Sequence, residues 1–115
     1  MANDTPAIPL GTAALGSLSG RLTRPPYDRG RLQPSIVHIG VGGFHRAHLA
    51  TYVHELCSQG RTDWSIVGAG VLATDAVMAD ALRAQDHLYC LITRGPDDTD
   101  VEIIGSIVDY LYAAE

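Results

Sequence analysis

Apolar residues recur along this chain in short blocks with two different spacings. Residues 36–40 (IVHIG) and 64–70 (WSIVGAG) are compact β-branched runs that end in glycine, which is typical of strands buried in a parallel sheet. Between them, residues 44–58 have helical spacing, and Gly60 ends the pattern. We expect the apolar side of this helix to consist of Phe44, Ala47, Leu49, Val53, Leu56 and Cys57. We expect its solvent side to contain His45, Arg46, His54 and Glu55.

A second helix and a hairpin follow the second strand. Residues 74–85 have helical spacing, with an apolar stripe of Val77, Met78, Ala81 and Leu82. Residues 87–94 and 100–108 are strand-like and flank the turn sequence GPDD, which predicts an antiparallel hairpin. The pattern therefore predicts an α/β fold. We expect a right-handed βαβ unit in part of a Rossmann-type, doubly wound parallel sheet, with the hairpin near the C-terminal end.

Residues 1–35 are rich in Pro, Gly, Ser and Thr and are predicted to form a surface leader. Residues 36–115 are predicted to be the amino-terminal part of a dinucleotide-binding domain. A parallel sheet must be covered on both faces, and two helices with a few strands cannot cover both. We therefore expect the second half of the domain to lie outside these residues.

Composition narrows the possible functions. The chain has 115 residues and a net charge of −5, which argues against a general binder of nucleic acids or membrane surfaces. The sequence has no long apolar run and no basic amino-terminal region, so we expect neither a membrane span nor a signal peptide. Cys57 and Cys90 are expected to be reduced, buried thiols, and the predicted location is the cytoplasm. All basic residues are arginines, so this chain has no lysine for a phosphate loop or for catalysis.

The first strand leads directly into the glycine-rich turn GVGGF, residues 40–44, which opens the helix. Rossmann domains hold a dinucleotide pyrophosphate in this strand–turn–helix context. Gly40 would permit the tight turn, Gly42 would let the backbone approach the phosphates, and the helix start would bind the anion. The third fingerprint position holds His45 rather than glycine or alanine. The pattern alone therefore also fits a simple strand-to-helix turn that needs a positive φ.

Charged and aromatic side chains follow the turn. Arg46 could donate charge-assisted hydrogen bonds to a pyrophosphate, although an exposed helical arginine has the same pattern. His45 and His48 are predicted to share a face, which makes a metal site an alternative. A metal would need a third ligand, and neither His-x-x-His nor His48 with Glu55 is a known helical metal pattern, so we expect no metal. The histidines are expected to orient Arg46 or to pack under the loop, and His38 is expected to be a hydrogen-bonded core histidine.

An acidic residue after the second strand usually binds the adenosine ribose in a Rossmann domain. Asp75, five residues beyond Gly70, is the nearest candidate here. The same residue could cap the second helix, and the two roles are compatible. Its negative charge would repel a 2′-phosphate, which predicts NAD rather than NADP.

The segment IVHIGVGGFHRAHLA, residues 36–50, resembles the mannitol dehydrogenase family of polyol-specific long-chain dehydrogenases. Four further segments resemble that family in the same order: RPPYDR, DWSIVGAG, ALRAQDHLY and IGSIVDYL. Together these segments span roughly residues 24–112. The chain is most similar to the mannitol 2-dehydrogenase branch. Fructuronate and tagaturonate reductases and arabinitol dehydrogenases of the same family remain alternatives.

The resemblance implies a Rossmann-type amino-terminal domain, a helical carboxy-terminal domain, and NAD-dependent, zinc-free conversion of a polyol such as D-mannitol to its ketose. It places one group of residues along the pyrophosphate: Gly40, Val41, Gly42, Gly43, Phe44 and Arg46. Thr74 replaces the first residue of an acidic pair that the family often has, and Asp75 keeps the second. The family's lysine base, with its asparagine and histidine helpers, lies in the later domain. This chain is therefore expected to bind the cofactor and to contain no catalytic residue.

Overall fold

The structure is a computed structural model that describes residues 7–18 and 20–114. The described residues form six strands and three α-helices, and the strands pair into two three-stranded sheets. The strands are β1 (Leu22–Thr23), β2 (Pro34–Ile39), β3 (Ser65–Gly70), β4 (Tyr89–Arg94), β5 (Thr99–Ile104) and β6 (Ile107–Tyr112). The helices are α1 (Gly43–Ala47), α2 (Leu49–Ser58) and α3 (Ala76–Ala84). Short 3₁₀ turns occur at Thr12–Ser17, Arg29–Arg31 and Ala73–Asp75.

One of the two sheets is entirely parallel, with the strand order β2-β3-β6. Helices α1 and α2 connect β2 to β3, and α3 follows β3, so the predicted βαβ unit is confirmed. The core beneath the helices is formed mainly by Ala50, Val53, Ile66, Leu82, Ile107 and Tyr110. This arrangement is the Rossmann-type α/β architecture that the apolar pattern predicts.

The predicted hairpin is also confirmed, because β4 and β5 pair antiparallel. The run 100–108 was expected to be a single strand, and this expectation is wrong. The extended segment is interrupted at Gly105 and Ser106. Strand β5 therefore belongs to the hairpin sheet, while β6 belongs to the parallel sheet. Strand spacing cannot reveal such a break, because both halves of the run are equally apolar.

Several expectations about which side chains face inward are wrong. The helix predicted over 44–58 breaks at His48 (φ −119°, ψ −85°) into α1 and α2. The side chains of His45 and His54 are buried, whereas Phe44 is 78% exposed and Leu49 lies at the surface. The break changes the direction of the α1 side chains relative to those of α2. A single helical period over 44–58 cannot predict this change.

Strand β2 was expected to be buried and is not. Val37 and Ile39 are both 64% exposed, because within the described residues only one face of the parallel sheet is covered by helices. Val77, predicted to lie in the apolar stripe of α3, is exposed, and Ala79 is buried instead. Cys57 is buried as expected, but Cys90 is exposed.

Part of the segment predicted as a surface leader contacts the core. Strand β1 pairs parallel with β5. Leu32 belongs to the hydrophobic core, and Tyr27 packs against it. Arg29 donates hydrogen bonds to the carbonyl oxygens of Gly105 (3.1 Å) and Ile107 (2.9 Å). Residues 1–6 and 19 of this segment lie outside the described residues.

His54 joins this segment to the break between β5 and β6. Its Nδ1 accepts hydrogen bonds from the Tyr27 hydroxyl (2.5 Å) and the Gly105 N–H (3.3 Å). The proton therefore lies on Nε2, which donates to the Glu102 carboxylate at 3.1 Å. Ser106 adds a hydrogen bond to the carbonyl of Ala50 (2.5 Å). These contacts fix the point at which the chain passes from one sheet to the other.

Replacing His54 with alanine should lower the free energy of unfolding by about 3 kcal/mol, because it opens a cavity and leaves buried hydrogen-bonding groups without partners. His48→Ala is the matched control, since the His48 side chain is exposed, and it should cost much less. Urea unfolding followed by circular dichroism measures both variants. Equal stabilities for the two variants would refute this role for His54.

No helix within residues 7–18 and 20–114 is long and apolar enough to cross a bilayer. Over that same part of the chain, no group of three or more His, Cys, Asp or Glu side chains is arranged to hold a metal ion.

Candidate functional site

The glycine-rich turn lies at the carboxyl end of β2. Gly40 has a φ of +89°, a conformation that disfavours any residue with a Cβ. Its N–H donates to the carbonyl of Ala69 (2.8 Å), and the Gly42 N–H donates to the carbonyl of Gly40 (3.1 Å). The chain therefore reverses tightly at the end of the strand before α1 begins at Gly43.

The backbone of this turn faces open space. A Cβ built on Gly40 or on Gly42 would meet no atom within 4 Å. The Val41 side chain points the other way and is buried. A Cβ on Gly68 of β3 would lie 2.6 Å from the Val41 side chain and 3.0 Å from Tyr110. Val41 thus fills a notch that only glycine provides in β3, and it anchors a turn whose outer backbone stays bare.

A cavity of about 420 Å³ lies beside the turn. Its lining residues come from the glycine turn and from the start of α3: Gly40, Val41, Gly42, Thr74, Asp75, Val77 and Met78. The structure therefore brings together residues that lie more than 30 positions apart in the sequence. The cavity is at the carboxyl end of parallel strands, where α/β folds bind ligands.

Asp75 is held in a fixed orientation at this cavity. Its Oδ2 accepts hydrogen bonds from the backbone N–H groups of Val71 (3.0 Å) and Leu72 (2.9 Å). A Cβ on Gly70 would lie 2.6 Å from the Cβ of Asp75, so glycine at the end of β3 is what allows the carboxylate to approach. Burial raises the pKa of the nearby Tyr110 hydroxyl, and the negative charge of Asp75 raises it further.

Arg46 extends back toward the glycine turn. Its Nε donates to the carbonyl of Gly42 at 3.2 Å, which places the guanidinium beside the first turn of α1. Because α1 ends one residue later, the Arg46 carbonyl instead accepts hydrogen bonds from Tyr89 (2.6 Å) and Thr51 (3.2 Å). Phe44 projects outward and contacts the ring of His48, with ring centroids 4.1 Å apart.

His45 and His48 do not share a surface, contrary to expectation. His48 is exposed, whereas His45 is only 4% exposed and stacks on His38 of β2. The ring centroids of His38 and His45 lie 3.7 Å apart, with an angle of 12° between their planes. Burial, together with His38 and Arg46, lowers the pKa of His45 to about 4.

Sequence reasoning singled out the glycine turn, Arg46 and Asp75, but it missed the glycines that support them. Gly68 and Gly70 stand two positions apart in β3, so both lie on the face of the sheet toward Tyr110. A pair of glycines on one face of a strand is the available signal for a close approach by other chain segments. The stacking of His45 on His38 had no signal in the spacing.

A sequence model of the mannitol dehydrogenase Rossmann domain matches residues 34–114. The chain belongs to the mannitol dehydrogenase family. Mannitol dehydrogenase 2 of Saccharomyces cerevisiae is 45% identical over 114 residues, which is 98% of this chain and 23% of the yeast protein. The mannitol 2-dehydrogenase of Neosartorya fischeri is 48% identical over 104 residues, covering 88% of this chain and 21% of the fungal protein.

Solved structures of mannitol dehydrogenase relatives have the same fold. The Pseudomonas fluorescens mannitol 2-dehydrogenase, solved as a ternary complex with NAD and D-mannitol, is 43% identical and superposes with a TM-score of 0.86 over 90% of this chain. A substrate-free D-sorbitol dehydrogenase is 37% identical with a TM-score of 0.84 over 92% of this chain. The chain spans 21% and 22% of these two proteins, respectively.

Proposed function

We propose that this chain is the cofactor-binding, amino-terminal part of an NAD-dependent polyol dehydrogenase. The observation that carries the proposal is the glycine turn, whose outer backbone is bare and which lies within residues 34–114, the part of the chain that matches the Rossmann domain of the family. The related Pseudomonas fluorescens structure contains NAD and D-mannitol, which supports NAD as the cofactor of this chain as well.

The residues around the cavity fit a dinucleotide. Backbone N–H groups of Gly43 and Phe44 would bind the pyrophosphate, because the first N–H groups of a helix have no partner within the helix. Val41 holds the turn in place through its buried side chain. Arg46 would add a charge-assisted hydrogen bond to the phosphate oxygens from its position beside the loop.

Asp75 would bind the adenosine ribose. One carboxylate oxygen is occupied by the backbone of Val71 and Leu72, and the residue lines the cavity together with the glycine turn. A negative charge at this position favours the ribose hydroxyls of NAD over the 2′-phosphate of NADP.

The proposed reaction interconverts a sugar alcohol and its ketose, with D-mannitol and D-fructose as the favoured pair. NAD supplies the hydride acceptor when bound, and this chain supplies binding and orientation. The proton of the alcohol must go to a positioned base, and the lysine that serves in this family has no counterpart among these 115 residues. We assign the catalytic residues and the polyol or ketose site to a helical domain carried by a longer cytoplasmic protein.

Enzymatic assay of the native protein from its source cells tests the reaction. The intact mass should be several times the 12.3 kDa of this chain, and the protein should reduce fructose with NADH. Activity on a hexuronate or on arabinitol without activity on fructose would move the assignment to another branch of the family. A native mass of 12.3 kDa without reductase activity would contradict the dehydrogenase assignment.

A second candidate function is a non-catalytic module that binds a nucleotide or another polypeptide. The supporting observation is the exposed face of the parallel sheet, where β-sheet pairing aligns Ile39 with Ala69 and Leu111. Ile39 and Leu111 are exposed, as is Val37 two residues earlier in β2. An exposed apolar face of this kind favours association. An aggregating or molten species formed by isolated residues 1–115 would contradict this alternative.

Asp75→Asn should reduce the preference for NAD over NADP by about tenfold, because it removes the charge that repels a 2′-phosphate. The asparagine side-chain oxygen can still accept a hydrogen bond from the loop backbone. Titration calorimetry with each dinucleotide gives the ratio of the two dissociation constants. The control is Asp80→Asn on the exposed side of α3, which should leave the ratio unchanged. An unchanged ratio in the Asp75 variant would argue against its ribose assignment.

A further inference from the structure

The stacked pair of His38 and His45 has no role in the cofactor assignment; the His45 side chain is buried and His38 is half-buried. His45 is in α1 and His38 is in β2, so their contact joins the first helix of the proposed site directly to its first strand. The rings are nearly parallel, at 12°, with centroids 3.7 Å apart. His38 precedes and His45 follows the glycine turn in the sequence, and Gly40, Val41 and Gly42 of that turn line the cavity.

His45 occupies the third position of the dinucleotide fingerprint, counted from Gly40 and Gly42. Rossmann domains use glycine or alanine there so that the helix can pack close to the strand. A buried imidazole at this position must separate the two elements by the thickness of its ring. The stacking on His38 therefore sets the distance between α1 and β2 that a small residue sets elsewhere.

The pair acts through shape rather than through hydrogen bonds. Both ring nitrogens of His45 are buried, and among the residues that the structure describes they have no hydrogen-bond partner. Burial beside His38 and Arg46 holds the pKa of His45 near 4, so its ring is neutral at neutral pH. His45 therefore contributes to the packing as a flat, uncharged ring. A hydrocarbon ring of similar shape would make the same contribution.

We propose that His45, supported by His38, is a positioning residue. It sets the distance of the first turn of α1 from β2, so that the N–H groups of this turn can bind the dinucleotide pyrophosphate. The inference rests on the proposed NAD-binding function. Anion sites built from backbone N–H groups need these groups held within about 0.5 Å of the productive geometry. Arg46, the next residue, bonds back to the Gly42 carbonyl, so a shift of α1 would displace the guanidinium together with the backbone donors.

Titration calorimetry with NAD at pH 7.5 tests the proposal on the native protein that contains residues 1–115. His45→Ala removes the ring and should weaken NAD binding by about tenfold or more. His45→Phe keeps a flat ring and discards the unpartnered nitrogens, so its dissociation constant should stay within about threefold of the wild-type value. A purely structural contribution would lower the melting temperature of His45→Ala without changing the affinity of its folded form, so affinities are compared well below each melting temperature.

The matched control is His87→Asn. His87 is a half-buried histidine with a φ of +64°, which asparagine tolerates, and it lines a different cavity with Arg29 near the start of β6. This variant should bind NAD like the wild type. If His45→Ala does not fold, His38→Ala removes the other ring of the pair and should weaken NAD binding by at least about threefold.

The outcomes separate the two proposals. A wild-type chain that does not bind NAD contradicts the proposed function itself. A wild-type chain that binds NAD while His45→Ala, or the folded His38→Ala, binds equally well overturns the positioning role alone. Loss of binding in His45→Phe as large as that in His45→Ala would also overturn it, because the ring would not then be what matters.

Discussion

Replacing Gly42 with aspartate should weaken NAD binding by at least about 100-fold, while the free energy of unfolding remains close to that of the wild type. Gly42 has a φ of −92°, which any residue can adopt, and a Cβ there meets no atom within 4 Å. The new side chain would therefore fit the folded chain without strain. It would occupy the space proposed for the pyrophosphate and place a negative charge against it.

Gly16→Asp is the matched control for this prediction. It introduces the same side chain at another exposed glycine with open space around its Cβ, in the 3₁₀ turn Thr12–Ser17. Calorimetry should give wild-type NAD affinity for Gly16→Asp and none measurable for Gly42→Asp. Normal NAD binding by a folded Gly42→Asp chain would remove the glycine turn from the site.

Acidification from pH 7 toward pH 4 should progressively destabilise the chain. The pKa values of His45, His54 and His87 are all lowered, in each case mainly by burial. Histidines in the unfolded chain take up protons near pH 6.5, before these buried rings do, so protonation favours the unfolded state as the pH falls. The stabilisation is therefore complete above about pH 6.5 and is lost as the pH falls toward the folded-state values.

The expected loss is large for a domain of this size. The pKa of His45 alone falls from 6.5 to about 4, which corresponds to at most roughly 3 kcal/mol, and the other two histidines act in the same direction. Urea unfolding at pH 7, 6, 5 and 4 measures the effect. His45→Phe cannot take up this proton and should lose less stability over the same range. A free energy of unfolding independent of pH, or parallel pH profiles for the two proteins, would contradict this prediction.

Local chemistry predicted the architecture well wherever one element followed the next. The βαβ unit could be predicted from two β-branched runs that end in glycine and from the helical spacing between them. The hairpin could be predicted from the GPDD turn. The separation of β5 from β6 was not predictable in this way. It depends on contacts of Arg29 and His54 with Gly105, made by residues far away in the sequence.

The candidate site shows the same division. The bare turn and Asp75 follow from motif spacing, and the structure brings them to one cavity. The direction of each side chain does not follow, because the helix break at His48 turns His45 inward and Phe44 outward. The notches at Gly68 and Gly70 depend on which strands become neighbours, and a single-strand pattern does not contain that information.

Titration calorimetry of NAD into the wild-type native protein that contains residues 1–115 tests whether the glycine turn is the cofactor site. We expect a single binding site, with weaker binding of NADP and no measurable binding in the Gly42→Asp variant. A folded wild-type protein that does not bind NAD, or a Gly42→Asp variant that binds NAD as well as the wild type does, would contradict the assignment of this turn as the cofactor site.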